Sequence, residues 1–231
     1  MIEQRTDEWY LQRKGKLTAS EIYLLMQKPR DKRSEFSQSC MTWIDKKVAE
    51  MFTPDEQFLD DIYNRPVSDA MQWGIDNEVT ARMRYLREMK TIGHQVRFTE
   101  AGYIRYNEYA GGSPDGYVDG GIVEIKCPTK PTQLRYVAYS GSKDIADDNP
   151  QYYAQMQMNM MCARKDGGEC GFCDFISYNP TMYREVQLRV IRVPYDAEYC
   201  EKLKGRITEA ISTIRIKMSI LKSKKELITL L

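Results

Sequence analysis

The chain has 231 residues, of which 42% are hydrophobic and 29% charged, and its formal net charge is +1. This length suits one α/β domain with helical additions, and no linker or repeat divides the chain, so a single domain over residues 1–231 is expected. The near-neutral charge argues against a uniformly basic nucleic-acid binder, but it is compatible with local basic patches. Because no run of about 18 apolar residues occurs, no membrane-spanning helix is predicted.

The N-terminus and the cysteines bear on location. The chain begins with a polar, acidic segment that does not resemble a secretory signal. Its six cysteines suit reduced thiols better than a disulfide framework, because the chain is large enough to bury a core without one. A cytoplasmic protein is therefore expected.

The first predicted helix begins near Thr18. Thr18 and Glu21 form a capping-box pattern before an apolar run. Arg13 and Lys16 lie just before this helix start, where free N–H groups and the positive end of the helix dipole favour phosphate. The pattern is compatible with a phosphate-binding corner and equally with an ordinary capped helix.

Apolar periodicity predicts helices over 34–52, 67–90 and 196–226, and an irregular segment over 53–66. The residues expected to face the core from the first helix are Phe36, Cys40, Trp43, Ile44 and Val48. Those expected from the second are Met71, Ile75, Val79, Met83 and Leu86, and those from the third are Leu203, Ile207, Ile211, Ile214, Met218 and Leu221. The third helix can pack on its own core or on a neighbouring subunit.

A further helix is predicted over 149–163, starting at Asn149-Pro150. Met156 and Met160 are expected to pack. Three polar residues share another face at helical spacing: Tyr152, Gln155 and Asn159. This face lines either a cleft or open solvent.

Strands are predicted over 94–108, 172–179 and 183–193, and a turn at Asn179-Pro180 joins the last two. Between the first of these and the 149–163 helix lies a hairpin signal, Asp119-Gly120, for which a type I′ turn is expected. This turn pairs Val118 with Gly121, Tyr117 with Ile122, and Asp115 with Glu124. A three-residue loop is the alternative, and it would move Asp115 away from Glu124.

The second hairpin strand alternates in character. Val123, Ile125 and Cys127 are expected to face a core, while Glu124 and Lys126 point towards the same space as Asp115. Directly opposite residues have Cβ atoms about 5 Å apart, so the two carboxylates repel unless a cation lies between them. Divalent cations such as Mg²⁺ take such oxygen ligands. The hairpin is thus a candidate metal site, the alternative being a solvated hairpin with ordinary surface charges.

Two other signals point to metals only weakly. Cys170 and Cys173 form a C-x-x-C, but an iron–sulfur cluster usually needs four cysteines and the other four lack such spacing, so buried or surface thiols are expected. His94 is the only histidine and follows Gly93 at a predicted strand start, where a ligand role is not favoured. No Walker A sequence is present, so no ATP-driven motor is predicted.

Pro114-Asp115 and Glu124-Ile125-Lys126 match the PD-(D/E)xK nuclease pattern. They lie in two of five stretches that make the chain resemble the bacteriophage lambda exonuclease family, also called YqaJ-like viral recombinases, from about Trp9 to Asn179-Pro180. The five stretches are Arg13-Lys-Gly-Lys-Leu-Thr-Ala-Ser20-Glu21, Trp73-Gly74-x-x-x-Glu78, Ser113-Pro-Asp115-Gly116, Glu124-Ile-Lys126-Cys-Pro128 and Tyr152-x-Ala-Gln155-x-Gln157. The predicted C-terminal helix agrees with the family only in its type of secondary structure.

This resemblance implies a restriction-endonuclease-like PD-(D/E)xK core, an α/β fold with a mixed sheet flanked by helices. It implies an enzyme that uses Mg²⁺, with Mn²⁺ as a substitute, to degrade one strand of double-stranded DNA from its 5′ end. The product is a 3′ single-stranded tail for recombination, onto which a single-strand annealing protein loads. The resemblance further implies a trimeric ring and a phage or prophage protein in the bacterial cytoplasm.

The resemblance also assigns roles to matched positions. The implied metal ligands are Asp115, Glu124, the Ile125 main-chain carbonyl and Glu78. Lys126 would lower the pKa of the attacking water or stabilise the pentavalent phosphate, and Gln155 would orient the water or Lys126. The implied 5′-phosphate pocket consists of Arg13, Ser20 and Ser113. The family also uses an arginine in this pocket where this chain has Thr132, with Lys130 and Arg135 nearby, which leaves the strength of 5′-phosphate preference open.

Two other functions remain alternatives. One is a different PD-(D/E)xK nuclease, such as an endonuclease or a structure-specific resolvase. The other is a non-catalytic DNA-binding recombination accessory protein, against which the intact set of Asp115, Glu124 and Lys126 argues.

Overall fold

The computed structural model describes residues 3–228, except for the side chains of residues 166 and 224–228. The α-helices are α1 (Asp7–Arg13), α2 (Gln38–Phe52), α3 (Asp55–Tyr63), α4 (Asp69–Thr91), α5 (Lys130–Val137), α6 (Ser142–Asp148), α7 (Pro150–Arg164), α8 (Arg184–Gln187) and α9 (Ala197–Ile228). The strands are β1 (Leu17–Thr18), β2 (Ile104–Arg105), β3 (Ala110–Gly112), β4 (Gly116–Val118), β5 (Gly121–Lys126), β6 (Phe172–Tyr178) and β7 (Leu188–Pro194). Within this described part, no helix has the length and apolar character needed to cross a bilayer.

The main sheet has the strand order β4-β5-β6-β7. β5 pairs with β6 in parallel, whereas the β4–β5 and β6–β7 pairs are antiparallel. The parallel pair requires a crossover, which contains α5, α6 and α7. A smaller sheet, β1-β3-β2, lies before the hairpin in sequence. The predicted mixed sheet flanked by helices is confirmed.

Helices cover both faces of the main sheet. On one face, Ala81 and Tyr85 of α4 share a buried cluster with Val123 and Ile125 of β5. On the other face, Met156 and Met160 of α7 pack with Ile122 and Phe175. The alternation of β5 therefore places Glu124, whose neighbours in sequence face α4, on the side of α7. A third apolar cluster joins α2, α7, α9 and the segment after β1.

A buried carboxylate fastens α4 to this sheet. Asp174 of β6 accepts hydrogen bonds from the Tyr85 hydroxyl (2.8 Å) and, at two oxygens, from the Arg192 guanidinium (2.8 and 2.9 Å). A buried charge is tolerated when its lone pairs are satisfied in this way. The network keeps α4 in a defined position against the sheet.

The segment after β1 departs from the predicted capped α-helix. Ala19–Met26 is a 3₁₀ helix, and the Thr18 side chain makes no capping hydrogen bond. Glu21 cannot close a capping box because its carboxylate faces the ammonium of Lys47 at 3.5 Å. A helix start is present at the predicted position, but its geometry was predicted wrongly.

The prediction of an irregular segment over 53–66 is wrong, because α3 occupies Asp55–Tyr63. Pro54 immediately precedes this helix and its first turn is acidic. Proline before a helix and acidic residues at its N-terminus favour a helix start. The same residues suggest a loop when they are taken only as helix breakers.

The predicted core face of α4 is wrong at three of its five residues, while Leu86 packs against the core and Ile75 is half-buried. Met71, Val79 and Met83 are 56–58% exposed, and the buried residues of the helix are Ala81 and Tyr85. The most apolar stripe of α4 is therefore a surface, and a smaller stripe faces the sheet. Tertiary packing overrides the periodicity here because the small side chain of Ala81 allows close approach to β5.

The remaining helices fit their predictions more closely. The residues predicted to face the core from 34–52 are all buried, although Phe36 precedes α2, and α7 begins at Pro150 as expected. In α9, Leu203, Ile207 and Ile214 are buried, whereas Leu221 is 44% exposed.

The predicted strands fit unevenly. Only β2 and an isolated bridge between Thr99 and Tyr117 fall within 94–108, and the rest of that range is irregular. The predicted strand over 183–193 begins later, at Leu188, because α8 occupies the preceding turn.

Candidate active site

The β4–β5 hairpin closes with the predicted two-residue turn. Val118 pairs with Gly121 and Tyr117 with Ile122, which excludes the three-residue loop. Gly120 has a positive φ of +77°, but Asp119 does not, so the turn is not the expected type I′. The Asp119 carboxylate instead accepts a hydrogen bond from the Arg97 N–H at 3.0 Å.

This register brings Asp115 to Glu124. The Asp115 N–H donates to the Val123 carbonyl (3.1 Å), and its carboxylate accepts from the Ile125 N–H (2.5 Å). Asp115 therefore lies beside the β5 segment that carries Glu124 and Lys126. The two carboxylates and the ammonium of the sequence pattern come together as predicted.

Glu124 is only 1% exposed and is held by three donors. Its Oε1 accepts from Lys126 Nζ (2.6 Å) and Gln155 Nε2 (2.7 Å), and its Oε2 accepts from Asn159 Nδ2 (3.3 Å). The Tyr152 ring lies 4.8 Å from Lys126 Nζ. The polar face of α7 thus lines the site rather than open solvent.

Asn159 was not among the predicted site residues, although it lies one helical turn after Gln155 on the same face. Its Oδ1 is buried and has no hydrogen-bond partner within the described part of the chain. A Cβ at Gly112 would lie 2.1 Å from this oxygen, so the glycine makes room for the amide. The polar face that Asn159 was predicted to share with Tyr152 and Gln155 is the sequence signal for its place in the site.

The charges on the hairpin perturb one another. Burial raises the pKa of Asp115 well above its usual value, and repulsion from Glu124 and Glu78 adds to this, against the attraction of Lys126. Burial by itself would lower the pKa of Lys126, but Glu124 and Asp115 outweigh it and the pKa is raised. Lys126 is therefore a stable cation, and a further cation near Asp115 would relieve the repulsion there.

Glu78 lies on α4 at the edge of this group. Its Oε2 accepts from Arg5 Nη2 at 2.6 Å, and its side chain is 32% exposed. Glu78 is near enough to contribute to the raised pKa of Asp115. Even so, no three histidine, cysteine or acidic side chains within residues 3–228 are gathered in the arrangement of a preformed metal centre.

A basic pocket adjoins the hairpin through Ser113. The Ser113 hydroxyl accepts from Arg13 Nη1 (3.1 Å) and Trp9 Nε1 (3.2 Å), and the Arg13 guanidinium stacks 4.2 Å from the Trp9 ring centre. Burial lowers the pKa of Arg13. Over the described residues, no carboxylate lies within 4 Å of its guanidinium. Trp9 was not a predicted site residue; its i, i+4 spacing to Arg13 on α1 is the available signal.

The other predicted pocket residues are less closely joined. Ser20 is exposed at the start of the 3₁₀ helix, 3.5 Å from Thr18 Oγ1. Thr132 lies in the first turn of α5, where its Oγ1 accepts from the Thr129 hydroxyl (3.4 Å). The Arg135 guanidinium lies 5.8 Å from the ring centre of Tyr136.

Neither the C-x-x-C cysteines nor the histidine hydrogen-bonds to the hairpin carboxylates within the described part of the chain. Cys173 nevertheless lies close enough to Glu124 for that charge to add to the burial that raises its thiol pKa. Cys170 and Cys173 are buried in the apolar cluster below α7. Burial raises the pKa of the Cys170 thiol to about 11. His94 is exposed just after α4.

A mixed sheet flanked by helices, with an Asp, a Glu and a Lys gathered on one hairpin of that sheet, defines a nuclease-like enzyme of the PD-(D/E)xK type. The family comparison is consistent with this class. The model of the YqaJ-like viral recombinase domain matches residues 8–166, and the chain belongs to this family. It is a nuclease that acts on DNA.

Solved structures agree with this assignment. The chain is similar to the alkaline exonuclease LHK-Exo from Laribacter hongkongensis, with 26% identity over 96% of this chain and 100% of that one and a TM-score of 0.76. The same values hold for LHK-Exo in complex with dAMP. A phage-related exonuclease from Haemophilus somnus 129PT shares the fold at 15% identity, covering 89% of this chain and 96% of that one, with a TM-score of 0.65. Among curated proteins, none matches the chain.

Proposed function

We propose that this nuclease is a Mg²⁺-dependent 5′–3′ exonuclease that degrades one strand of double-stranded DNA and leaves 3′ single-stranded tails for recombination. The observation that carries this proposal is the sequence Ser113-Pro114-Asp115. It joins a buried cationic pocket directly to the carboxylate cluster. An enzyme with these two features one residue apart is suited to holding a DNA end and cutting beside it.

The donor set fits a hard divalent cation. The proposed ligands are Asp115, Glu124 and the Ile125 carbonyl, with Glu78 contributing directly or through water, and Mn²⁺ is expected to substitute for Mg²⁺. The raised pKa of Asp115 supports this, because the repulsion among these carboxylates is what a bound cation would offset. Once bound, Mg²⁺ would supply a water nucleophile near neutral pH and offset charge on the attacked phosphate.

The chain's own groups complete the chemistry. Lys126, which stays charged, is proposed to lower the pKa of the attacking water or to stabilise the pentavalent phosphate. Gln155 donates to Glu124 at 2.7 Å and is proposed to orient that carboxylate together with Lys126 or the water. Asn159, which holds the other Glu124 oxygen, is proposed to fix the carboxylate plane.

The pocket of Arg13, Ser113 and Ser20 is proposed to bind the 5′-terminal phosphate. A buried guanidinium without a carboxylate partner is suited to a phosphate, with which arginine makes paired charge-assisted hydrogen bonds. LHK-Exo was crystallised with dAMP, a nucleotide that carries one phosphate, and this is consistent with the proposal. Because the contacts are to backbone phosphates, low sequence specificity is expected.

A homotrimeric ring is proposed for the assembly, and a single-strand annealing protein for the partner at the 3′ tail. Met71, Val79 and Met83 are exposed apolar side chains of α4, and they support self-association because exposed apolar surface commonly marks an interface. Val79 also lines the cleft that contains Asp115. Mass measurement in solution tests the trimer.

Three substrates test the function. Linear duplexes with 5′-phosphate ends and with 5′-hydroxyl ends, labelled separately at their 5′ and 3′ termini, are compared with a closed circular duplex in Mg²⁺ and in EDTA. The proposal expects digestion from the 5′-phosphorylated end, slower digestion of the hydroxyl end, and no reaction in EDTA or on the circle. Cleavage of the circle would identify an endonuclease instead, and loss of label from 3′ ends first would reverse the polarity.

A further inference from the structure

The segment before α1 crosses the edge of the candidate active site. The Gln4 side-chain amide donates to the carbonyl oxygens of Ala101 (2.8 Å) and Pro114 (2.9 Å), and Pro114 directly precedes Asp115. The Thr6 hydroxyl donates to the Glu3 carbonyl (2.8 Å), and Thr6 caps α1. The segment is therefore fastened on both sides of Arg5.

Arg5 is held in an unfavourable backbone conformation. Its φ of +68° is the only positive value at a non-glycine residue within residues 3–228. Left-handed conformations cost energy in residues with a Cβ and persist where the surroundings impose them. The fastening by Gln4 and Thr6 is such a surrounding, and the conformation directs the Arg5 side chain to Glu78.

The Arg5–Glu78 contact involves the one proposed metal-site carboxylate that belongs to α4 rather than to the hairpin. Glu78 Oε2 lies 2.6 Å from Arg5 Nη2, while Asp115 bonds to Ile125 and Glu124 is held by Lys126 and α7. Arg5 and Glu78 line the same cleft as Asp115. The guanidinium thus pairs with Glu78 Oε2 within the cleft that a divalent cation shared with Asp115 would enter.

We propose that Arg5 competes with the divalent cation for Glu78. The ion pair neutralises Glu78 in the cation-free enzyme and limits its repulsion of Asp115, and it must open before Glu78 can serve a metal or its water. Arg5 is in this sense a positioning residue that sets the cation concentration at which the site assembles. The proposal rests on the proposed function, since it takes the hairpin as a cation site.

Arg82 offers a matched control. It lies one turn after Glu78 on α4 and lines the same cleft, but its guanidinium pairs with Glu100 at 2.6 Å. Arg5→Gln and Arg82→Gln therefore remove the same charge from the same cleft, and only the first frees Glu78. Arg5→Lys keeps a cation beside Glu78.

The experiment is a Mn²⁺ titration of the DNA-free full chain followed by electron paramagnetic resonance, which does not depend on activity. Arg5→Gln is expected to bind Mn²⁺ about two- to fivefold more tightly than the unmodified chain, the range set by a partly exposed ion pair. Arg82→Gln and Arg5→Lys are expected to stay close to the unmodified chain. In a Glu78→Gln background, Arg5→Gln should change the affinity no more than Arg82→Gln does.

Two outcomes overturn the proposal. Equal affinities for Arg5→Gln and Arg82→Gln would show that Arg5 acts only as one charge among others. A gain from Arg5→Gln that persists in the Glu78→Gln background would show that Glu78 is not the group it blocks. Asp115→Asn distinguishes failure of the Arg5 proposal from failure of the proposed function. If Asp115→Asn binds Mn²⁺ as tightly as the unmodified chain, the hairpin is not the cation site and both proposals fail.

Discussion

The two charged regions on either side of Pro114 differ in how their charges are satisfied. The carboxylate of Glu124 is enclosed by Lys126, Gln155 and Asn159, all within hydrogen-bonding distance. The Arg13 guanidinium, by contrast, is buried against Trp9 and meets only a neutral hydroxyl, that of Ser113, as a polar partner on that side. The first region is organised by the protein itself, whereas the second has the character of a site completed by an anion.

This difference separates positioning from recognition. A carboxylate fixed by three donors cannot turn to suit a substrate, so the hairpin is suited to holding one geometry for chemistry. A buried cation lacking a carboxylate partner among the described residues favours whichever anion enters. In the proposed function, placing the two regions one residue apart would link capture of a DNA end to cutting at that end.

The largest effect is expected from breaking the hairpin region. Asp115→Asn removes a charge that is proposed to bind the cation, while keeping an acceptor for the Ile125 N–H. We expect Mg²⁺-dependent digestion of a 5′-phosphorylated duplex to fall by about 1,000-fold, since a loss of several kcal/mol of charge stabilisation corresponds to that factor.

Asp119→Asn is the control, because Asp119 lies in the exposed turn of the same hairpin and bonds only to the Arg97 N–H among the described residues. It should leave the rate within about twofold. Comparable losses in the two variants would mean that the hairpin fold, rather than the Asp115 charge, matters.

A smaller and more selective effect is expected from the basic pocket. Arg13→Gln should lower kcat/KM on 5′-phosphorylated ends by about 10- to 100-fold, the value of one or two charge-assisted hydrogen bonds, and should change the rate on 5′-hydroxyl ends little. Lys14→Gln removes a neighbouring charge that pairs with Asp55 instead, and it should preserve the preference. An equal loss of kcat/KM on both kinds of end would show that the pocket does not recognise the 5′-phosphate.

The next effect tests the positioning of Glu124. Asn159→Ala removes the donor to Oε2 and should lower kcat about tenfold with little change in KM, as expected for a residue that supports a metal ligand. Steady-state kinetics at saturating Mg²⁺ measure this. If KM alone rises, Asn159 serves DNA binding rather than the carboxylate.

The smallest effect concerns stability and pH. Because the folded-state pKa of Asp115 is raised, the folded state binds a proton more readily than the unfolded state does, and ionised Asp115 destabilises the fold as pH rises above about 4. In EDTA at neutral pH, Asp115→Asn should therefore raise Tm by roughly 2–4 °C, about 1 kcal/mol for a chain of this size. In thermal melts, this difference in Tm between the variant and the unmodified chain should shrink towards pH 4. A Tm difference that does not change with pH would mean that the stabilisation comes from packing.

Much of the hairpin was predictable because its information is local. The Asp119-Gly120 turn and the alternation from Val123 to Cys127 set which side chains share a face, and this was enough to bring Asp115 to Glu124. The polar face of α7 was also predictable from spacing, since Gln155 and Asn159 lie one turn apart. What spacing could not supply was the surface against which that face packs.

The errors have a common physical origin. In α4, periodicity selected the stripe of Met71, Val79 and Met83, yet Ala81 and Tyr85 are buried because the helix is fastened to the sheet through Asp174. At 53–66, Pro54 and the acidic residues after it were taken as breakers, although they begin α3. In both places local composition permitted two outcomes, and packing selected one.

The sequence by itself determined the order of the chemical groups and the family to which the chain belongs, because each depends on short stretches whose residues are adjacent in the chain. It also predicted the two-residue hairpin turn, but only the structure excluded the three-residue loop. The resemblance implied that Arg13 and Ser113 share a pocket, but only the tertiary structure decided that the two bond to each other, that Trp9 joins them, that Asn159 reaches Glu124, and that Arg5 pairs with Glu78. These contacts join residues 35 to 104 positions apart. Their formation depends on how helices and sheets pack, which no local pattern specifies.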